Sequence, residues 1–422
     1  MEKKIKVCMV CHFSNREVYQ KLPLKMTAFK FLSSIKNHFP LFRPRVDDFA
    51  VWNTNAINEF KGHTDMIDMH VIAPYPCLKY RIYEYKEDGI SYHFFYNTGE
   101  SIIQWLKYRF FNVNYNYNQN RRIMLDFINK IQPDIVHLIG AENPYYSEVL
   151  LDVPSNIQTI VQLQTLMSDP EFIKSYPIGL REYKYRSAIE KEVLINATYI
   201  ATPVGKFVNI IKKDIKPSAK ILKIQLALSE AINNVYTEKE FDFVYFAADI
   251  SKAIDWALEA FILASKKYPK ITLDIVGADS NGIKSSIEHR LQETGLLNNV
   301  KFEGRLETHN DVIKQIRKSK FAVIPMKVDM LTGTIRECMA NGIPVCTTIT
   351  PDSPKQNQKR ESLLLSEKGN FQAMADNMCR LMDDADYADM IKNNAILTAS
   401  ERISNTDIIN NWIEEYRKIC NI

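Results

Sequence analysis

The sequence predicts an α/β protein of two doubly wound parallel sheets, and three observations carry that expectation. At 422 residues the chain exceeds what one hydrophobic core organises. Short apolar, β-branched runs alternate with longer amphipathic stretches, which is how βα units that build parallel sheets read in sequence. The runs also fall into two sets, separated by a stretch from Lys212 to Asp242 that mixes charge, Pro217 and polar residues with no sustained period.

The first set of expected strands covers residues 5–10, 69–73, 134–139, 159–163 and 198–202. The second covers 243–247, 271–276, 300–302, 321–324, 344–347 and 363–365. This places a first domain at 1–225, a linker at 226–240 and a second domain at 241–403. Residues 404–422 begin with a polar turn and continue with Ile408, Ile409, Trp412, Ile413 and Tyr416 at helical spacing, a closing helix expected to pack back on the first domain. Two stretches exceed a minimal βα alternation. Residues 13–62 hold helical patterning interrupted by Pro40, Pro44 and the basic pair Arg43 and Arg45. Residues 101–122 interleave Trp105, Tyr108, Phe110, Phe111, Tyr115 and Tyr117 with Lys107, Arg109, Arg121 and Arg122. Both read as insertions. The second could pack a helix onto the domain, bind an acceptor or touch a membrane surface.

Composition narrows the class. Hydrophobic residues at 46% and charged residues at 25% match an ordinary globular protein, and a net charge of +4 is too small to call for nucleic acid. The charged N-terminus runs straight into a strand without the apolar core of a signal peptide, and no apolar run reaches the roughly 18–20 residues that span a bilayer. The expectation is a cytoplasmic protein, with peripheral membrane contact through the first domain kept open. Seven scattered cysteines suit a reducing compartment; Cys8 and Cys11 form a CxxC, but inside an apolar strand-like run, so they read as buried structural thiols. Asp383, Asp384 and Asp386 lie between two helical patterns and read as helix capping, not as a cation site.

The most informative segment runs from Val323 to Val345. A strand ends near Pro325, a polar loop with Thr332, Gly333 and Thr334 follows, and a short helix stops at Asn341-Gly342 before Pro344 and the next strand. A helix N-terminus offers unpaired N–H groups and partial positive charge to a diphosphate, glycine lets the backbone approach it, and a carboxylate such as Glu337 can accept two hydrogen bonds from a ribose diol. This segment resembles the nucleotide-sugar site of retaining GT-B glycosyltransferases of family 4 (group 1), whose motif is Glu-x7-Glu followed by Ala-Met-Ala-x-Gly-x-Pro-Val: Glu337-Cys-Met-Ala-Asn-Gly-Ile-Pro-Val345 matches its second half. Phe246 to Ala264 is similar to the family's strand, phosphate loop and helix, and Leu273-Asp-Ile-Val-Gly277 and Val300-Lys-Phe-Glu-Gly304 to its next two strands. Pro133-Asp-Ile-Val-His137, leading into Gly140-Ala-Glu-Asn143, is similar to the family's acceptor-side strand and loop.

The resemblance implies two Rossmann-like domains facing a central cleft, with donor on the second and acceptor on the first. It implies a donor site of Lys252, Arg305, Asp329, Leu331, Thr332, Gly333, Thr334 and Glu337, and an acceptor side of His12, His137, Glu142 and Asn143. His12, Glu142 and Lys252 are the candidates for the chemistry. His137, flanked by apolar residues, also reads as a core histidine. Two positions depart from the family: Asp329 stands where the first Glu belongs, and Asp249 where an Arg is common. Asp249 opposes phosphate charge, so neutralisation falls on Lys252, helped by Arg305 or Lys327. The implied activity is transfer of a sugar from a UDP- or GDP-sugar to a glycan, lipid-linked or other hydroxyl acceptor, with retention, no cofactor, no divalent metal and no nucleic acid. A non-catalytic sugar-nucleotide or glycan-binding protein and a nucleotide-sugar epimerase remain alternatives.

Overall fold

The computed structural model describes residues 4–25, 50–75, 77–98, 102–111, 113–172, 179–227, 237–250, 253–279, 282–327 and 333–422, with Arg16, Ile102, Trp105, Arg109, Ala248 and Asp249 as backbone alone. The chain divides into two compact units, Met1–Leu228 with Ile403–Ile422, and Ser229–Arg402.

The first unit is built on an eight-stranded sheet ordered β3-β4-β2-β1-β5-β6-β7-β8. Its strands are β1 (Ile5–Val10), β2 (Ile67–Tyr75), β3 (Ile82–Glu87), β4 (Ile90–Tyr96), β5 (Ile135–Ile139), β6 (Gln158–Gln162), β7 (Tyr199–Ala201) and β8 (Lys220–Leu222). All pairings are parallel except β3 with β4. Every residue of β5 is buried, as a central parallel strand covered on both faces requires. The β3–β4 hairpin and β8 were not among the expected strands. The hairpin's signal was present: Asp88 and Gly89 take φ of 49° and 79°, left-handed values at both turn positions, as a two-residue type I′ turn needs. β8 is three residues long and sits in the charged stretch without a period, so no pattern marks it.

Of the first insertion, the structure describes α1 (Arg16–Lys21) and α2 (Val51–Phe60), whose Ala56, Ile57 and Phe60 enter the core; Pro40, Arg43, Pro44 and Arg45 lie outside the described residues. The second insertion forms α3 (Ile102–Phe110) and the start of α4 (Asn118–Ile131). After β6 comes α5 (Leu180–Asn196). Cys8 and Cys11 are fully buried, and burial pushes both thiols far above their ordinary range, which leaves them inert.

The second unit carries a six-stranded, all-parallel sheet ordered β11-β10-β9-β12-β13-β14. These strands are β9 (Phe241–Asp249), β10 (Leu273–Ala278), β11 (Val300–Gly304), β12 (Ser319–Val323), β13 (Val345–Thr348) and β14 (Leu364–Ser366). Alternate residues of β9 feed two layers: Phe243 and Tyr245 enter one core with Phe261, Ile275 and Met378, while Val244 and Phe246 enter the other with Ile313, Ala322 and Met339. The helices are α6 (Ile254–Ser265), α7 (Lys284–Glu293), α8 (His309–Ile316), α9 (Gly333–Ala340), α10 (Phe371–Asp383) and α11 (Ala385–Ser400). Asp384 caps α11 by accepting from the Tyr387 amide at 2.9 Å, which is the capping role its sequence position suggested.

The final helix, α12 (Asn405–Cys420), belongs to the first unit. Ile408, Ile409, Trp412, Ile413 and Tyr416 are buried in its core beside Phe60, and the Trp412 indole donates to the Gln225 carbonyl at 2.8 Å. Among the described residues no helix is long and apolar enough to cross a membrane.

Candidate functional site

In the second sheet the strand order reverses between β9 and β12, and ligands of such sheets bind outside the carboxyl ends of the strands at that point. Backbone placement there is tightly specified. At Gly277, near the end of β10, a Cβ would sit 2.3 Å from the Ala247 carbonyl oxygen, and φ is +149°, so only glycine lets β10 approach β9. The chain leaving β12 is clipped to β13: Thr347 Oγ1 donates to the Ile324 carbonyl at 2.7 Å, Thr348 Oγ1 to the Met326 carbonyl at 2.8 Å, and the Met326 amide to Thr348 Oγ1 at 2.8 Å. Lys327 then pairs with Asp255 in the first turn of α6 at 2.7 Å and lies 5.3 Å from the Trp256 ring. Its ammonium thus has a carboxylate partner in the first turn of the neighbouring helix.

Helix α9 begins at Gly333, so the amides of Gly333, Thr334 and Ile335 have no acceptor within the helix. Gly342, with φ of 67°, ends it as the sequence indicated. Glu337, only 7% exposed, opens the second turn. A Cβ on Gly333 would lie 3.8 Å from Glu337 Oε1, which places that carboxylate close to the helix start. A residue the sequence did not mark joins it: His309, the first residue of α8, has Nε2 3.4 Å from Glu337 Oε1. Arg305 follows β11 directly and is half-buried. Lys252, Asp329, Leu331 and Thr332 lie outside the described residues. The structure therefore brings together Gly333, Thr334, Glu337 and His309, an arrangement able to receive an anion on the helix amides and a hydroxyl pair on the carboxylate.

The first sheet reverses between β1 and β5. His12 follows β1, and Glu142 and Asn143 follow β5, so these three gather at one edge. The Asn53 amide of α2 donates to the His12 carbonyl at 2.8 Å, and Tyr145 Oη lies 3.5 Å from His12 Nδ1. Burial lowers His12 to about 4, so its imidazole is neutral at physiological pH. Burial raises Glu142 to about 7, against the opposing influence of its own amide and Arg186. Asn143 Nδ2 donates to Glu142 Oε1 at 3.0 Å and to Tyr146 Oη at 3.2 Å. Arg186 of α5 fixes the loop, donating from Nε to the Glu142 carbonyl at 2.7 Å and from Nη2 to Asn143 Oδ1 at 3.0 Å. No local pattern distinguishes Arg186 from the other charged residues of its helix.

His137 is corrected. Its ring is fully buried, 4.7 Å from Trp412, with Nδ1 2.6 Å from Tyr416 Oη, and burial pushes it down to about 3. It is a neutral core histidine that anchors α12.

Comparison with known proteins accords with this geometry. Residues 241–384 match the family model described as glycosyl transferases group 1. Solved structures with the same fold include sucrose-phosphate synthase from Thermosynechococcus elongatus, at 12% identity, 99% and 100% coverage of the two chains and a TM-score of 0.71. HepE from Anabaena, solved with UDP and glucose, shows 13% identity, 97% and 99% coverage and a TM-score of 0.62. TarM from S. aureus, solved with Fondaparinux, alpha-GlcNAc-glycerol and UDP, shows 14% identity, 98% and 99% coverage and a TM-score of 0.61. A search of curated proteins found no match. The fold is GT-B.

Proposed function

We infer that this chain, a glycosyltransferase whose group 1 domain spans residues 241–384, moves a sugar from a nucleotide-sugar donor to a hydroxyl acceptor with retention and without a divalent metal. The observation that carries the donor assignment is Glu337, a buried carboxylate held behind the N-terminus of α9 near the switch point of the second sheet. In this reading the diphosphate takes the backbone amides at the start of α9, those of Gly333 and Thr334, and Glu337 takes the ribose diol. Lys252 and Arg305 add positive charge, while Asp329, Leu331 and Thr332 line the sugar and nucleoside. Charge developing on the departing diphosphate meets oriented N–H groups and cations, which is what transfer without a metal requires.

The acceptor hydroxyl belongs with His12, Glu142 and Asn143 at the edge of the first sheet. A neutral imidazole and a carboxyl raised to about 7 can exchange a proton with a hydroxyl near neutral pH. UDP is the favoured nucleotide of the UDP/GDP pair, because both HepE and TarM were solved with it. The acceptor is a glycan or lipid-linked hydroxyl.

Thermal shift against a panel of UDP- and GDP-sugars, with and without EDTA, tests the reading, since a ligand that binds only the folded state raises Tm. The expected result is a selective, EDTA-insensitive shift with one donor. Glu337→Ala should weaken that donor by about tenfold or more, from the loss of roughly 1–3 kcal/mol. A folded Glu337→Ala protein with unchanged donor affinity would remove the assignment, and a shift abolished by EDTA would remove metal independence.

A further inference from the structure

Helix α3 of the first unit turns large apolar side chains outward while Gln104 and Tyr108 face the protein. Gln104 donates to the Asn116 carbonyl at 2.9 Å and accepts from the Asn116 amide at 2.7 Å, while Tyr108 stacks on Tyr115 at 4.8 Å and lies under the Arg181 guanidinium at 4.4 Å. Arg181 Nη1 also donates to the Tyr108 carbonyl at 3.0 Å, tying α3 to the start of α5. At about 100° per residue, Ile103, Leu106 and Phe110 fall within about 60° of one another on the opposite side. They are exposed, Ile103 by 66% and Phe110 by 68%, and the chain continues into Phe111, 72% exposed, and Val113. Leu180, beside Arg181, is exposed as well. Ile103, Leu106 and Phe110 thus share one outward face of α3, and exposed apolar side chains continue past its end at Phe111 and Val113.

Within residues 101–125 the charge has one sign. Residues 101–125 contain no Asp or Glu but carry Lys107, Arg109, Arg121 and Arg122. Lys107 is exposed and adjoins the apolar stripe on the helix surface, and Lys184 of α5 is exposed too. Glu182 of α5 is engaged by Arg186 at 3.3 Å, and Arg121 by Asp152 at 2.7 Å. A projecting set of Phe, Ile and Leu flanked by the exposed Lys107 and Lys184 fits a headgroup layer, where apolar groups enter the acyl boundary and lysines meet anionic phosphates. A protein partner fits less well: one nine-residue helix and a short loop are small against the interface that a stable protein pair buries.

We propose that α3 and the loop after it form a membrane-docking surface, through which the first unit binds the surface of an anionic lipid bilayer. Ile103, Leu106, Phe110 and Phe111 insert, and Lys107 contacts lipid phosphate. This surface is independent of the donor assignment, since binding to vesicles needs neither nucleotide nor transfer.

Co-sedimentation of the full chain with vesicles tests it, comparing phosphatidylcholine alone with phosphatidylcholine containing phosphatidylglycerol. Wild-type protein should bind the anionic vesicles and bind neutral ones weakly. The double variant Phe110→Ser, Phe111→Ser should lose about tenfold or more in partitioning, and Lys107→Glu should lose binding to anionic vesicles selectively. Met390→Ser with Leu397→Ser, at exposed apolar positions of the second unit, should bind as wild type. Circular dichroism and Tm confirm that each variant is folded. Absence of binding by folded wild-type protein overturns the proposal, as does binding that the two phenylalanines do not affect. A wild-type dimer that becomes monomeric in the Phe110→Ser, Phe111→Ser variant would assign the face to a second copy of the chain instead.

Discussion

The two sheets each gather candidate residues where their strand order reverses, yet they hold them by different means. In the second unit the scaffold is mostly backbone: the close approach at Gly277, the threonine clips from β13 to the chain leaving β12, and the N-terminal amides of α9. In the first unit distant side chains do the holding. Arg186 of α5 fixes the Glu142–Asn143 loop, and Asn53 of α2 fixes the His12 carbonyl. A site made of main chain constrains a contiguous run of residues and tolerates little change. A site assembled from side chains can be adjusted one contact at a time.

Substitutions can break or sharpen that contrast. The largest expected effect is at Gly277: Gly277→Ala places a methyl group against the Ala247 carbonyl at a left-handed φ, and should cost about 3 kcal/mol or more, read as a large fall in Tm and in donor binding together. His137→Leu should cost less, about 1–3 kcal/mol, because it leaves the buried Tyr416 hydroxyl without its partner. Its turnover at a temperature where the protein is folded should match wild type; a selective loss of turnover would return His137 to the acceptor side. Arg186→Met should lower turnover by about tenfold while donor affinity holds, with Arg186→Lys recovering part of the loss. Equal loss of donor affinity would mean that the two sites are not separately built.

The smallest effect is a pH dependence. Glu142 and Glu190 are both raised to about 7 in the folded protein, from an ordinary value of 4.5. Between about pH 4.5 and about 7 the folded state therefore binds more protons than the unfolded one, and these groups make stability fall as pH rises through that window. His12, lowered to about 4, works in the opposite direction between about 4 and 6.5. Glu142→Gln should remove its own share of the decline, so Tm should change less between pH 5 and 7 in the variant than in wild type; an unchanged profile would place the Glu142 carboxyl near its ordinary range.

What could be read from the sequence follows the same division. The strand–loop–helix–glycine–strand run around Glu337 was legible because each step is local: a strand end, a helix start, a glycine stop. His309 was not, because it meets Glu337 across 28 positions of sequence through a contact that leaves no periodic trace. Arg186 meets Asn143 across 43 positions and was hidden for the same reason. His137 was ambiguous until Tyr416, 279 residues away, supplied its partner. The β3–β4 hairpin is a different case, since Asp88-Gly89 marks its turn locally within a sheet whose other pairings are all parallel.

The return of α12 to the first unit has a consequence for how the protein is made. The second unit is one continuous piece of chain, whereas the first needs residues from both ends of the polypeptide to complete its core. During synthesis the second unit can close while the core around Phe60 and His137 still waits for Trp412 and Tyr416. Until Trp412 and Tyr416 have been made, the first unit presents an unfinished surface of apolar side chains, the kind of exposed core that chaperones shield.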